Sequence, residues 1–353
     1  MRRSWSMGAL ALFLAAPAAA QRTPPRPASD TAASSMAPGT GVWRNYDFRP
    51  GDSVWFATDF AAEPVGRFPA SQLQFVRGNM QIVDIDSSRA LEVSSASVFG
   101  IALPADLPTD FSLEFEIRIP APNIYTQVFF APTARGSIAR YPFDYLYVGG
   151  RPGIYRKGTP VSNLYMPRIQ DRWVPVKLQV DSAYSIMYVG PDRAAQVPVV
   201  NFPRGKVIEF ESTGNPRLPT YIRNIVVAVG LNDLYKALTA RGEVSTLGIL
   251  FDTNSDRLLP ESTPVLDEIR QMLTEHPDLR LQVEGHTDDV GDDAFNLALS
   301  ERRARSVVAW LVAQQLSSSR LTVVGHGERM PVGDNRTPAG RRANRRVVLR
   351  RLP

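Results

Sequence analysis

Apolar and polar residues alternate through the first two thirds of the chain. In FSLEFEIRI (111–119) every second residue from Phe111 to Ile119 is apolar, and WVPVKLQVD (173–181) alternates in the same way. Pro, Gly, Asn and Asp interrupt such runs roughly every ten residues, which is the spacing of short strands joined by turns. We therefore predict that residues 41–230 form an all-β antiparallel sandwich.

One run differs from this alternation. YIRNIVVAV (221–229) is apolar on both faces at its end, which predicts a central strand covered on both sides. With the VWFATDF and GRFPASQ segments, the order of strands resembles that of concanavalin-like or laminin-G-like jelly rolls. The resemblance implies a carbohydrate-binding module. A spacer or a protein-contact domain explains the same pattern, and both interpretations stay open.

The period changes after residue 246, where helical and strand patterns alternate. Two helices are predicted from apolar residues at helical spacing: Val265, Leu266, Ile269, Met272 and Leu273 in the first, and Phe295, Leu299, Val307, Leu311 and Val312 in the second. Four strands are predicted at LGILFD (247–252), LRLQVEG (279–285), LTVVGHG (321–327) and RRVVLRR (345–351). The pattern predicts a C-terminal α/β sandwich at 247–353. A connector at 231–246 is expected to contain one or two helical turns ending at Gly242.

The N-terminus has the features of an export signal. Arg2 and Arg3 precede an apolar stretch that ends in APAAA, so residues 1–20 are predicted to be a signal peptide cleaved after Ala20. Residues 21–40 are rich in Pro, Ala, Ser and Thr and are predicted to be a flexible linker. No later stretch is apolar enough to predict a transmembrane segment.

Composition narrows the classes of site. The chain has 353 residues and no cysteine, which excludes disulfides, thiolate metal ligands and a lipid-bearing cysteine. The net charge is +5, and six arginines lie among residues 341–351. Export and the lack of interleaved aromatic residues argue against a nucleic-acid partner. The three histidines have no metal-ligand spacing and no cofactor motif is present, so we predict no metal and no cofactor.

Two acids on one predicted strand raise the question of catalysis. Glu114 and Glu116 share a face of the strand and lie about 6.6 Å apart at the usual rise. Retaining glycosidases hold two carboxyls about 5 to 5.5 Å apart. A solvent-facing surface with cross-strand ion pairs explains the same residues. We predict a protein that is not an enzyme, with a glycosidase as the alternative.

An acid and a base in the C-terminal region form a candidate binding site. Asp288 lies in the GHTDDVG segment after a predicted strand, and Arg303 follows 15 residues later on the predicted long helix. A loop and about two helical turns can bring them together, and Arg303 lies on the side of Leu299 and Val307, towards the domain. The pair would suit a zwitterionic ligand. An internal salt bridge is the alternative.

The segment from about residue 248 to 349 resembles the OmpA-like peptidoglycan-binding domains. The matching pieces occur in the family's order, and they are FDTNSDRLLPES, VEGHTDDVG, NLALSERRARSV, GHGERMPVGDN and GRRANRRV. The resemblance implies that the ligand is the stem peptide of peptidoglycan, held through meso-diaminopimelate. The free end of that residue carries an ammonium and a carboxylate on one carbon.

The resemblance also assigns roles to single residues. It implies that Asp288 binds the ammonium and that the planar fork of Arg303 binds the carboxylate. Four further residues are implied to close the loop, to support the contacts or to form a basic wall: Asn296, Thr287, Asn254 and Arg346.

Together these features predict an exported envelope protein of the periplasm, associated with peptidoglycan and the outer membrane. The C-terminal domain would bind peptidoglycan noncovalently and anchor the sandwich, which would contact a glycan or an envelope protein. The alternative is a wall-tethered glycan-binding module or glycosidase whose activity lies in the sandwich.

Overall fold

The computed structural model describes most of the chain after residue 45. The described residues are 46–131, 143–166, 169–181, 184–198, 202–231 and 233–353. The predicted signal peptide at 1–20 and the predicted linker at 21–40 lie outside them. No helix among the described residues is long and apolar enough to cross a membrane.

The N-terminal region is built from strands alone in its described part. In chain order they are β1 (Ser53–Thr58), β2 (Gln74–Arg77), β3 (Met80–Ile85), β4 (Ser88–Val93), β5 (Ser97–Ala102), β6 (Phe111–Arg118), β7 (Thr126–Ala131), β8 (Asp144–Val148), β9 (Gly153–Arg156), β10 (Thr159–Asn163), β11 (Trp173–Val180), β12 (Tyr184–Val189), β13 (Asp192–Pro198), β14 (Val207–Ser212) and β15 (Thr220–Val229).

These strands form two antiparallel sheets. The first has the order β13-β12-β11-β6-β15-β4-β3, with β1 also paired to β15, and the second has the order β10-β9-β8-β7-β14-β5-β2. The prediction of an antiparallel β architecture is confirmed. The closer resemblance to jelly rolls stays a prediction.

The core of the sandwich follows from the alternation in the sequence. The apolar residues of β6, from Phe111 to Ile117, are at most 2% exposed and face the second sheet. There Phe210 stacks on Phe99 with ring centroids 4.9 Å apart, and Phe115 meets it edge-on at 5.2 Å. Strand β15 lies between β6 and β4, so its prediction as a central strand is confirmed.

The C-terminal region alternates helices and strands. In chain order they are α1 (Leu234–Arg241), β16 (Glu243–Thr246), α2 (Thr263–Glu275), β17 (Leu281–His286), α3 (Asp293–Ala313), β18 (Leu321–Gly327), α4 (Pro338–Asn344) and β19 (Val347–Arg351). The sheet order is β16-β19-β17-β18, in which only β17 and β18 are parallel. Helix α1 ends at Gly242, whose φ of 77° is left-handed, as the connector prediction required.

One predicted strand is wrong. Residues 247–252 form no strand beyond a single bridge of Phe251 to Leu258, and the fourth strand of the sheet is β16, inside the predicted connector. The apolar side chains of Leu247 and Ile249 are buried, but the backbone of Leu250 bonds Ser262 and Leu259 instead of a neighbouring strand. Burial therefore explains the apolar run without a sheet.

The predicted apolar stripe is fully buried in α2 but only partly buried in α3. All five stripe residues of α2 are buried, which confirms that prediction. In α3, Leu299, Val307 and Leu311 are buried, but Phe295 and Val312 are 43% and 38% exposed, so their placement was wrong. The buried face of α3 is narrow because small residues, Ser300 and Ala304, lie against the sheet.

The two domains contact each other through charged side chains. Arg49 Nη1 lies 2.7 Å from Glu268 Oε2 of α2, and Arg342 Nη2 of α4 lies 3.5 Å from Glu114 Oε1 of β6. Helix α4 lies against β1 of the sandwich. The face of β6 that carries Glu114 and Glu116 is therefore turned towards the C-terminal domain.

Replacing Ser262 tests how the irregular segment is held. Its buried hydroxyl accepts from Leu250 N at 2.8 Å and donates to Leu250 O at 3.0 Å. We expect Ser262→Ala to lower the free energy of unfolding by about 1 to 3 kcal/mol, because Leu250 N loses its partner and Leu250 O keeps only the bond from Leu259 N. Chemical denaturation measures this, with the exposed Ser317→Ala as the control. Equal stability of both variants would contradict the assignment.

Candidate ligand-binding site

The candidate site forms where β17 ends and α3 begins. A Cβ built on Gly285 would lie 2.1 Å from the Ser300 carbonyl oxygen, so only glycine lets α3 approach the strand this closely. The loop that follows leads to Asp292, whose side chain accepts from Ala294 N and Phe295 N and caps the helix. Asp288 is thereby held beside the first turns of α3.

Asp288 is fixed by two neighbours. Its Oδ2 pairs with Arg345 Nη1, and its side chain is only 11% exposed. Asn296 Nδ2 donates to the carbonyl oxygens of Asp288 at 3.4 Å and Val290 at 3.2 Å, and to Glu328 Oε2 at 2.7 Å. Asn296 is therefore placed to close the loop, and the carboxylate of Asp288 faces the arginines.

Arg303 is oriented by backbone carbonyls. Its Nε donates to Ser255 O at 2.9 Å and its Nη2 to Asp252 O at 3.4 Å, while the guanidinium lies 5.0 Å from the ring centre of Phe251. Burial, followed by the charge of Arg345, lowers the pKa of Arg303 from its ordinary value. The predicted direction of Arg303, towards the domain, is confirmed.

A cavity of about 90 Å³ lies beside these residues. Four of its lining residues are arginines and none is acidic: Arg303, Arg342, Arg345 and Arg346. Among the described residues, neither Arg303 nor Arg346 has a carboxylate within 4.0 Å. Arg346 Nη1 and Arg342 Nε are also buried without a hydrogen-bond partner. The cavity is a strongly cationic space that suits an anion.

The remaining predicted residues differ in their placement. Thr287 is buried and its Oγ1 has no partner, while its backbone N–H donates to Gly327 O at 2.9 Å. Arg346 Nη2 donates to Met330 O at 3.1 Å. Asn254 is exposed in a turn at a φ of 53° and does not line the cavity. The structure thus places Arg303 and Arg346 in the cavity lining, holds Asp288 next to it through Arg345, and leaves Asn254 outside.

Sequence reasoning missed two arginines of this site. Arg345 pairs with Asp288 and Arg342 lines the same cavity, but only Arg346 of the GRRANRRV segment was assigned a role. The signal was the run of four arginines itself. Their directions follow from the end of α4 and the start of β19, which the sequence pattern does not resolve.

A buried polar group on the sheet was also missed. Glu284 Oε2 lies 3.4 Å from His326 Nε2 and 3.9 Å from His286 Nε2, and the two imidazole rings stack at 5.0 Å. The dipeptides Gly285–His286 and Gly325–His326 were the available signal, because β17 and β18 are parallel and pair Gly285 with Gly325. These three side chains form the one set with metal-ligand geometry among the described residues.

The surroundings of this group disfavour a cation. Glu284 Oε1 accepts from Arg350 Nε at 2.7 Å, and neither ring nitrogen of His286 has a partner. Burial, followed by the charges of Arg346, His326 and Arg350, lowers the pKa of His286 to about 3. We therefore interpret His286 as a neutral imidazole beside a carboxylate, Glu284, that is held by Arg350.

The two acids considered for catalysis are both in ion pairs. Glu114 pairs with Lys177, its cross-strand neighbour on β11, and with Arg342. Glu116 pairs with Arg223, its cross-strand neighbour on β15. The cross-strand ion pairs predicted as the alternative to a glycosidase site are present. The prediction that this face is solvent-facing is wrong for Glu114, whose side chain is 12% exposed because the C-terminal domain covers it.

The comparisons with known proteins concern the C-terminal region. Residues 250–345 match the model of the OmpA family, so this region is an OmpA-family domain, as the resemblance predicted. Outer-membrane lipoprotein YfiB of Pseudomonas aeruginosa is 43% identical over 101 residues, which are 29% of this chain and 60% of that protein. Peptidoglycan-binding protein ArfA of Mycobacterium bovis is 35% identical over 117 residues, 33% of this chain and 35% of that protein.

Among solved structures, the peptidoglycan-associated lipoprotein from Burkholderia pseudomallei is 27% identical, with a TM-score of 0.28, over 32% of this chain and 92% of that chain. The chain spans less than two thirds of the length of the curated relatives YfiB and ArfA. The names of these relatives place them at the outer membrane or on peptidoglycan, in agreement with the predicted envelope location.

The low pKa of His286 gives a prediction for stability against pH. The unfolded chain binds a proton on this imidazole near pH 6.5 and the folded chain only near about 3, so stability falls as the pH drops through that window. We expect His286→Gln to reduce this fall in the free energy of unfolding. Denaturation at several pH values measures it, with His276→Gln as the control. An unchanged pH profile for His286→Gln would contradict a buried neutral imidazole.

Proposed function

We propose that the chain binds peptidoglycan noncovalently through the diaminopimelate stem peptide and thereby anchors the sandwich in the periplasm or at the outer membrane. The observation that carries the proposal is the acid Asp288 beside a cavity lined by four arginines and no acid. A buried cation without a counter-ion is costly, so the cavity favours an anionic group.

The ligand chemistry matches this arrangement. The free end of diaminopimelate presents an ammonium and a carboxylate on the same carbon. Asp288 receives the ammonium, and the forks of Arg303 and Arg346 bind the carboxylate. The side chain of Arg345 is 43% exposed, so it can turn from Asp288 towards the carboxylate when the ammonium arrives.

The other predicted residues support the site. Asn296 holds the loop of Asp288 through backbone carbonyls. Thr287 Oγ1 is buried without a partner and would gain one from a polar ligand. Asn254 precedes Ser255, whose carbonyl orients Arg303, so its role is to shape that turn.

A wall anchor binds its ligand without catalysis. The ion pairs of Glu114 and Glu116 agree with this role. The relative ArfA is named as a peptidoglycan-binding protein. An OmpA-family domain at residues 250–345 is compatible with the same role in this chain.

Variants of the pair test the proposal. We expect Asp288→Asn and Arg303→Lys each to weaken co-sedimentation of the full chain with diaminopimelate-containing sacculi by about tenfold or more, because the first removes the charge that binds the ammonium and the second removes the bidentate contact to the carboxylate. Arg303→Lys keeps the charge but loses the planar fork. The dissociation constants are measured by titrating sacculi against a fixed protein concentration.

Arg305→Ala is the matched control, because Arg305 lies on the same helix but is exposed and pairs only with Glu301. Thermal unfolding of each variant separates lost binding from lost folding. Full binding by folded Asp288→Asn and Arg303→Lys would refute the proposed site.

A second candidate function concerns the sandwich. Three half-buried tyrosines contact one another on the outer face of its second sheet: Tyr147 lies 5.2 Å from Tyr125 and 5.0 Å from Tyr155 between ring centroids. Two buried rings, Tyr145 and Phe129, pack beside them. Aromatic faces bind the apolar faces of sugar rings, so this surface favours the glycan-binding alternative.

We expect Tyr147→Ala to weaken binding of the full chain to peptidoglycan-type or other envelope glycans by about tenfold, since a stacking surface is removed. A glycan array followed by calorimetry measures the effect. Tyr184→Ala, at a 43% exposed tyrosine of the first sheet, is the control. Absence of any glycan signal from the unmodified chain would remove this candidate.

A further inference from the structure

A larger cleft opens between the two domains next to the arginine-lined cavity. Its volume is about 540 Å³, which lies in the range of small-molecule sites. The cleft and the cavity share three lining residues: Leu250, Arg342 and Arg345. A molecule whose charged end sits in the cavity therefore has the cleft directly beside it.

The sandwich supplies one wall of this cleft. Ala57 of β1 and Val226 of β15 are paired neighbours that line it, together with Glu114, Glu116 and Lys177. These residues belong to the sheet face turned towards the C-terminal domain. Arg342 and Arg345 stand on the opposite wall.

Glu114 links the cations of the two walls. Its Oε2 lies 3.6 Å from Lys177 Nζ and its Oε1 lies 3.5 Å from Arg342 Nη2. Both distances exceed that of a strong charge-assisted hydrogen bond, which is about 2.7 to 2.9 Å. One carboxylate is shared by two cations at long range, so the group can accept a second anion.

The wall formed by the sandwich also carries polar groups that can bind peptide amides. Glu116 Oε1 accepts from Asn224 Nδ2 at 3.0 Å, and both residues line the cleft. Thr58 and Asp59 lie at the end of β1 in the same lining. Carboxylate and amide oxygens at these positions can accept from the N–H groups of a peptide.

We propose that the interdomain cleft is a second subsite that binds the peptide arm of the wall ligand, with the sandwich as its second wall. This inference rests on the proposed function, because the zwitterionic end must occupy the cavity first. Beyond the zwitterionic end, the arm carries amide groups and the free α-carboxylate of D-Glu. Lys177 and Arg342 bind that carboxylate, and Glu116 and Asn224 contact the amides.

In this arrangement the sandwich contributes directly to affinity for the wall. A ligand reduced to the amino acid diaminopimelate fills only the cavity, whereas a ligand with its peptide arm contacts both domains. The difference between the two ligands therefore reports on contacts made outside the cavity.

Calorimetry on the full chain with two soluble probes tests the inference. The probes are free meso-diaminopimelate and the tripeptide L-Ala-γ-D-Glu-meso-diaminopimelate. We expect the tripeptide to bind about tenfold or more tighter, equivalent to about 1.4 kcal/mol. Ala57→Tyr places a ring in the cleft, so it should abolish this advantage while leaving binding of free diaminopimelate unchanged.

Ala102→Tyr, an exposed position at the end of β5 in the other sheet, is the matched control and should bind both probes normally. A modified ligand tests the cleft on the unmodified protein, so the result does not depend on whether Ala57→Tyr folds. The same tripeptide with the free carboxylate of its D-Glu converted to an amide should lose most of the tenfold advantage on the unmodified protein.

The outcomes separate the two proposals. If the unmodified chain does not bind free diaminopimelate, the proposed function fails. If it binds free diaminopimelate but binds both tripeptides no tighter, and Ala57→Tyr has no effect, the cleft subsite is refuted and the anchoring function stands.

Discussion

The close approach of helix α3 to strands β17 and β18 is the constraint on which the site depends. A Cβ at Gly285 would lie 2.1 Å from a backbone atom of α3, and one at Gly325 would lie 2.6 Å from another. Small residues at these positions let the helix backbone pack directly on the sheet. As a result Arg303 on α3 and Arg346 before β19 reach the same small cavity.

This packing leaves two of the cavity arginines, Arg303 and Arg346, without a carboxylate within 4.0 Å among the described residues. Burial lowers the pKa of both Arg303 and Arg346, which shows that each guanidinium lies in an environment unfavourable to its charge. Proteins tolerate such groups mainly where a ligand or a carboxylate completes them. In the proposed function, an anion that binds in the cavity offsets the cost of burying these arginines, and Asp288 makes the site selective for an anion that also carries an ammonium.

The contact between the domains places the sandwich within reach of that ligand. The face of β6 with Glu114 and Glu116 carries charges of both signs with its neighbouring strands, and it is opposed by arginines of α4 and its C-terminal end. The same two acids that suggested a glycosidase are held by Lys177, Arg223 and Arg342. Their spacing along the strand suggested catalysis, but their position shows that both acids line the cleft between the domains.

The sequence by itself determined most of the local structure, and it predicted two residues of the candidate site. Alternation predicted the sheets, the stripe from Val265 to Leu273 predicted α2, and the ordered motifs predicted an OmpA-family domain with Asp288 and Arg303. These features depend on periodicity and on short segments, and both can be read from a single sequence. The tertiary structure decided the contacts between residues that lie far apart in the sequence. It pairs Asp288 with Arg345, 57 residues away, and it holds 247–252 outside the sheet through Ser262. It also places Glu114 opposite Arg342. The sequence could not predict this contact, because a burial pattern indicates that a residue is covered but not which residue covers it.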